Sequence, residues 1–256
     1  MSDSWRFEHK KVIDSFLEFL NSRTNQYILK GGTALMKCYN LNRFSEDIDL
    51  DGRKKDIISL VDEFCKKNGF SYRIGKDTDT VKRCFINYGN DGRPLKVEAS
   101  FRRKDFSDAE INRINGIIVY SINEICIQKA GAYAQRDKIR DLFDLSFITN
   151  NHFDELNPFV RSALRNALEF KGLEQFDFIV KDQPDELIDI DVLAENFLKA
   201  FDKLGILSNE GEQEVVQEYI DASKPSLNDQ IQTASSIAEQ GKAADNAPVK
   251  GAIPQR

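Results

Sequence analysis

The amino-acid sequence predicts an α+β fold, with strands and helices interleaved over residues 1–150 and a helical region after them. Three observations carry that expectation. Apolar residues recur at helical spacing in several separate stretches, beginning with Ile13, Phe16, Leu17 and Leu20. Between those stretches lie short runs of strand length, of which residues 95–101 alternate most cleanly. Beyond residue 153 only helical periodicity remains. With 256 residues, 41% of them hydrophobic and 10% aromatic, the chain can bury a substantial core.

Taken in order, residues 8–21 form the first helix on the stripe just named. Tyr27, Ile28 and Leu29 make a short strand that stops at Gly31-Gly32. Residues 33–39 then form a helix with Ala34, Leu35 and Cys38 inward. A diglycine at a helix start reads two ways. It is a tight turn, or an anion site made of free N–H groups and the positive end of the helix dipole. A P-loop is excluded, because GxxxxGK[ST] is absent and Lys30 precedes the glycines. After a polar connection, residues 46–51 form a strand in which Asp47 and Asp49 share one face and Ile48 and Leu50 the other. Two such carboxylates repel each other and raise a pKa unless a cation joins them, so the pair invites a divalent ion.

Residues 54–68 follow as an amphipathic helix on Ile57, Leu60, Val61, Phe64 and Cys65, stopped by Gly69. Strands over 70–74 and 81–88, a turn at Asn90-Asp91-Gly92 and the alternating strand 95–101 come next. On that strand Leu95, Val97, Ala99 and Phe101 take one face, and Lys96, Glu98 and Ser100 the other. Glu98 is therefore the natural third carboxylate beside Asp47 and Asp49. A strand over 116–120 leads to Ser121-Ile122-Asn123-Glu124, which has capping-box spacing. The helix it opens runs to about Arg136 and places Lys129, Tyr133 and Arg136 on one face, opposite Ile125, Ala132 and Ile139. Another helix spans 138–150 with Leu142, Leu145 and Ile148 inward and Asp141 and Asp144 three residues apart. By themselves, Arg140, Asp141 and Asp144 describe a solvated ion-pairing face. Pro158 sits in the first turn of a later helix, and Pro184 interrupts residues 173–190. Residues 191–204 are strongly amphipathic and 209–222 weakly so. Residues 224–256 lack aromatic residues and have the composition of a flexible tail.

The net charge of −6 excludes a wholly basic nucleic-acid-coating protein but leaves room for a local basic patch. Arg102, Arg103 and Lys104, with Arg73, Lys82, Arg83 and Arg93, are candidates for phosphate contacts or for a solvated loop. Four cysteines are scattered without a CxxC, and only His9 and His152 are at hand to join them. Buried reduced thiols are expected rather than zinc. The N-terminus has no apolar h-region and no apolar run approaches ~18 residues, so a soluble, cytoplasmic protein without a membrane partner is expected.

The run Lys30-Gly31-Gly32-Thr33-Ala34-Leu35, followed by Arg43, Ser45, Asp47, Ile48, Asp49 and Leu50, resembles the AbiEii/AbiGii-type toxins of the DNA polymerase β-like nucleotidyltransferase superfamily. Glu98 in LKVEASF resembles the third acidic position of that superfamily. Lys129, Arg136, Arg140, Asp141 and Asp144 in QKAGAYAQRDKIRDLFDL resemble its downstream Lys-then-Asp motifs. The resemblance covers roughly residues 28–148.

It implies a nucleotidyltransferase-like N-terminal domain over 1–150, with a mixed β-sheet flanked by helices; the helical periodicity and tail composition beyond it add a helical C-terminal domain over 151–223 and a tail over 224–256. It implies that Asp47, Asp49 and Glu98 hold magnesium or manganese and that Lys129, Asp141 and Asp144 complete the catalytic set. Lys30, Gly31, Gly32, Thr33, Arg43, Ser45 and Arg136 would bind substrate. Whether Asp141 or Asp144 is the functional aspartate stays open, as does whether Arg43 and Ser45 bind phosphate or only fix their loop. Glu98 departs from the aspartate often found at its position. The resemblance further implies a bacterial toxin with a separately encoded antitoxin protein as partner, an NTP as donor and RNA, tRNA in particular, as acceptor. Two alternatives stand beside it. One is transfer to a protein or small-molecule hydroxyl. The other is a non-catalytic interaction protein that retains the fold.

Overall fold

The computed structural model describes residues 3–89, 93–172, 174–183 and 185–206. The order is α1 (Asp3–Arg23), β1 (Tyr27–Lys30), α2 (Gly31–Cys38), β2 (Ile48–Gly52), α3 (Ile57–Asn68), β3 (Ser71–Asp77), β4 (Val81–Asn87) and β5 (Leu95–Ser100). It continues with β6 (Ile111–Ile114), β7 (Ile117–Tyr120), α4 (Ile122–Gln135), α5 (Ile139–His152), α6 (Pro158–Lys171), α7 (Glu174–Asp182) and α8 (Ile190–Lys203). The seven strands form one mixed sheet in the order β3-β4-β5-β2-β1-β7-β6.

The register decides where the chemistry falls. β2 runs parallel to β5, and β1 runs antiparallel to β2 and parallel to β7. Lys30 lies opposite Asp49, Asp49 opposite Glu98, and Glu98 opposite Arg83. Directly opposed residues share a sheet face. Four strands thus contribute one row of charge: Arg83, Glu98, Asp49, Lys30. The alternate residues, Ile48, Leu50, Val97 and Ala99, are buried in the core. Helices α1 and α3 contact each other and the sheet, and Phe16 meets Phe64 edge-on with ring centroids 5.1 Å apart.

Local sequence explains the element ends. Gly69 takes φ +68°, the left-handed conformation that lets α3 stop without strain. Ser121 accepts the Glu124 N–H at the start of α4, but the Glu124 carboxylate turns to Arg103 and Gln128, so only half of the capping box forms. Asn157 caps α6, with Pro158 in its first turn.

Several expectations shift. β2 starts at Ile48, so Asp47 stands one residue ahead of the strand. Gly116 belongs to the Asn115-Gly116 turn, both residues at positive φ, and this turn joins β7 to β6. β6 escaped notice because INRI has no clean alternation, although Asn-Gly is a strong hairpin signal. Tyr133 is buried rather than sharing an open face with Lys129 and Arg136. Cys65, Cys84 and Cys126 are free and buried, and burial pushes their thiols up to about 11, 11 and 12.

The described residues all fall within one compact unit. α6 packs on α4 and α8 on α5, and residue 150, the expected domain boundary, falls inside α5. Among the described residues no helix is long and apolar enough to cross a membrane. The Asn90-Asp91-Gly92 turn, Pro184, the helix expected over 209–222 and the tail over 224–256 lie outside the described residues.

Candidate active site

A cleft of about 640 Å³ carries Asp47, Asp49 and Glu98 from the sheet and Lys129, Arg136 and Asp141 from α4, α5 and the link between them. Asp49 is half-buried and, among the described residues, has no hydrogen-bond or ion-pair partner. Burial raises the pKa of its carboxyl; Lys96 opposes that rise, while the Asp47 and Glu98 charges add to it. Gly31 explains how the backbone passes so close. It has φ +74°, and a Cβ there would stand 3.2 Å from Asp49 Oδ2, so any other residue would be strained and pressed onto the carboxylate.

Asp47 and Glu98 are each drawn to a cation. Lys96 Nζ lies 2.5 Å from Asp47 Oδ2, and Arg83 Nε donates to Glu98 Oε2 at 2.5 Å. In that arrangement no group of three or more His, Cys, Asp or Glu side chains among the described residues is gathered to hold a metal. The donor chemistry nevertheless fits a hard divalent cation, since carboxylate oxygens from adjacent strands share one face. A positive group, the Lys96 ammonium, already sits against one of them.

The opposite wall is built differently. Arg43 grips Asp144 with two parallel bonds, Nε to Oδ1 at 2.7 Å and Nη2 to Oδ2 at 2.8 Å. Lys129 Nζ lies 2.7 Å from Asp144 Oδ2 and 3.0 Å from Asp141 Oδ1. Arg136 Nε donates to Asp141 Oδ2 at 2.8 Å. The Arg43 and Asp144 side chains are only 3% and 0% exposed, so this pair is part of the interior. Burial works against the Asp144 charge, yet Lys129 and Arg43 outweigh it and hold its pKa below the usual carboxylate range. Burial likewise opposes the Lys129 ammonium, and Asp144 and Asp141 carry its pKa above the ordinary value.

The thirteen residues singled out from sequence therefore divide. Gly32, Arg43, Ser45, Asp47, Asp49, Glu98, Lys129, Arg136 and Asp141 line the cleft. Asp144 lies beneath it, so the structure separates the two aspartates: Asp141 reaches the cleft and Asp144 anchors the floor. Arg43 lines the cleft and holds Asp144 with two of its nitrogens, Nε and Nη2, which ties its loop to α5. Thr33 stands behind the cleft wall rather than on it. It is buried, and its hydroxyl donates to the Asp47 carbonyl and lies 3.0 Å from Ser45 Oγ, pinning the segment before β2. Lys30 turns to Asp51, Nζ to Oδ1 at 2.6 Å, and Tyr120 donates its hydroxyl to the other oxygen of the same carboxylate at 2.9 Å. Gly32 is required by crowding, because a Cβ there would come within 2.8 Å of both Arg43 Nη2 and Ser45 Oγ.

Seven further residues line the cleft: Arg83, which the sequence offered for phosphate contact, Arg140, which belongs to the downstream motif, and Lys96, Lys138, Ile139, Gln183 and Asp185, which were not singled out. Lys96 was legible, since it shares the polar face of Glu98 two residues away. Gln183 and Asp185 follow α7 and carry no motif. Arg140 brings Asp185 to the rim through a 2.5 Å bond and also meets Glu46 at 3.3 Å.

A family profile described as the nucleotidyl transferase AbiEii toxin, a type IV toxin–antitoxin system, matches residues 19–229. The chain belongs to the AbiEii family. It is thus a toxin-like nucleotidyltransferase by descent. JHP933 from Helicobacter pylori is 29% identical to it, with a TM-score of 0.63 over 86% of this chain and 97% of that one. MenT4, the nucleotidyltransferase toxin Rv2826c of Mycobacterium tuberculosis, shares the fold at 19% identity and TM-score 0.52, covering 87% of this chain and 94% of its own. The Aquifex aeolicus protein aq_aa25 is 29% identical over 169 residues, which are 61% of this chain and 72% of that protein.

Proposed function

We propose that this AbiEii-family chain transfers a nucleotide from an NTP to an RNA hydroxyl, depends on magnesium or manganese, and acts as the toxin of a pair with a separately encoded antitoxin. The observation that carries this reading is the cleft itself. Asp49 and Glu98 share one sheet face with Asp47 just ahead of β2, and across from the three carboxylates stands a lysine held by two aspartates. Asp47, Asp49 and Glu98 would hold the divalent cation. When bound, the cation supplies charge neutralisation at the phosphoryl oxygens and a template for the attacking and leaving groups. Lys129 meets phosphate as a compact point charge whose direction is fixed by Asp141 and Asp144. Arg136 and Lys138, exposed at the mouth, extend that anion-binding wall. The first-turn N–H groups of α2, where Gly32 lines the cleft, have no partner within the helix and suit a phosphate oxygen.

A second surface supports RNA as acceptor. Because β2 and β5 are parallel neighbours, Arg53 and Lys54 leave the sheet at the same end as Arg102 and Lys104. All four are exposed and, among the described residues, make no ion pair. The other basic residues of the expected patch are engaged: Arg103 with Glu110 and Glu124, Lys82 with Asp77, Arg83 with Glu98, and Arg93 with Glu46 and Glu186. Arg73 stacks on Phe85. The Arg53 guanidinium lies over the Phe106 ring, 5.1 Å from its centroid. Arg53 and Arg102 are four residues beyond Asp49 and Glu98, roughly 13 Å at the rise of an extended strand. A polynucleotide bound there would reach the carboxylates, with phosphate contacts that weaken as salt rises.

The test is to incubate the protein with Mg²⁺, each labelled NTP in turn and total RNA. Label should appear in RNA and should be lost in Asp47→Ala and Asp49→Ala, with circular dichroism unchanged. Label in the protein alone would move the acceptor to a protein hydroxyl, and full activity in either variant would sink the carboxylate assignment.

A further inference from the structure

Lys96 stands at one corner of a square of charge. Asp49 faces Glu98 across the parallel β2–β5 pair, and one step earlier along both strands Asp47 meets Lys96. Three corners are carboxylates and the fourth is an ammonium 2.5 Å from Asp47 Oδ2. The Lys96 side chain is 25% exposed and that of Asp47 39%, so the pair sits at the wall of the cleft, open to exchange on one side. The contrast with Lys129 is informative: that lysine is held by two buried aspartates and cannot leave without stranding them.

We infer that Lys96 competes with a divalent cation for Asp47, so that it sets how much metal the site needs. This rests on the proposed cation dependence of Asp47, Asp49 and Glu98. The physical argument is competition for one carboxylate. An ammonium on Asp47 neutralises an acceptor the cation needs, and it repels a dication a few ångströms away with an energy that is large in a partly dry cleft. The long, flexible lysine stem lets the ammonium swing out, which an arginine fork or a buried pair would resist. An incoming nucleotide offers the displaced ammonium a phosphate partner. Lys96 therefore makes metal entry contingent on the donor and opposes capture of free ions without it.

The experiment is Mn²⁺ binding to the intact protein without nucleotide, followed by electron paramagnetic resonance, for the parent and for Lys96→Met, Lys96→Arg and Asp49→Asn. Lys96→Met is expected to bind Mn²⁺ on the order of tenfold more tightly, a change one removed like charge can supply. Lys96→Arg keeps the charge and should stay near the parent or weaker. Equal or weaker binding in Lys96→Met overturns the inference. Asp49→Asn separates the two readings. If it loses Mn²⁺ while Lys96→Met matches the parent, only the role of Lys96 falls. If Mn²⁺ binds none of the four proteins, or binds Asp49→Asn as well as the parent, the carboxylate metal site falls with it. Thermal unfolding with and without Mn²⁺ provides the second readout, since an ion that binds only the folded protein stabilises it. Lys96→Met should gain more from Mn²⁺ than the parent does.

Discussion

The two walls of the cleft handle charge in opposite ways. On the sheet, Asp47 and Glu98 each hold one half-exposed cation and Asp49 holds none, so every partner there can be exchanged. On the helices, Asp144 is enclosed and shared by Arg43 and Lys129, so its partners are fixed as firmly as a core side chain. The difference separates acidic residues whose partners can be exchanged from those whose partners are built into the interior. A carboxylate with a raised pKa and no partner is poised to accept an ion. One with a depressed pKa and two buried partners has already spent its charge on the fold.

The sharpest way to break the comparison is to exchange the fates of two aspartates. Asp144→Ala leaves Arg43 and Lys129 buried without their counter-ion and should cost about 3–5 kcal/mol in urea unfolding. Asp49→Asn should be as stable as the parent or more so at neutral pH, because it removes a charge that folding penalises. Equal destabilisation by both would erase the distinction. Next in size, Gly32→Ala drives a methyl against Arg43 and Ser45 and should cost about 1–3 kcal/mol, read in the same assay.

The pH dependence carries opposite signs on the two walls. The folded-state pKa of Asp144 is depressed, so its contribution is complete above the ordinary carboxylate value of about 3.9 and is lost as pH falls through the folded value. That of Lys129 is raised, so its contribution is complete below about 10.4 and is lost as pH rises through the folded value. That of Asp49 is raised, so its penalty is absent below about 3.9 and complete above the folded value. The stability difference between Asp49→Asn and the parent should therefore vanish in acid, while that between Asp144→Asn and the parent should shrink only at still lower pH. Smallest of all, Arg83→Met frees Glu98 from a half-exposed pair and should change stability by less than about 1 kcal/mol.

Much of this was legible in the chain. Alternation in residues 95–101 placed Glu98 on the polar face, and the Asp47-Ile48-Asp49 run placed two carboxylates on one side, because strand periodicity is local and robust. What the sequence did not disclose was partnership. Arg43 and Asp144 are 101 residues apart, and no local pattern tells a phosphate-binding arginine from one that closes a buried ion pair. The Thr33 hydroxyl is hidden from the sequence in the same way, since it donates to a carbonyl that only the folded loop brings near. Asp141 and Asp144 looked like a solvated face because i and i+3 spacing says nothing about which side α4 will cover. Gln183 and Asp185 gave no signal at all, for they reach the rim only through the packing of α7 and α8.

The parallel pairing of β2 with β5 also bears on how the protein comes into being. Asp49 and Glu98 meet only after the whole α3–β3–β4 excursion is in place, and such non-local closure is slow compared with helix formation. During synthesis the far wall arrives later still, because Asp144 emerges after both strands have been made. A ribosome-bound chain ending near Ser100 would own its carboxylates without Lys129 to face them. Nucleotide transfer by nascent chains stalled at successive lengths should appear only once α5 has cleared the exit tunnel.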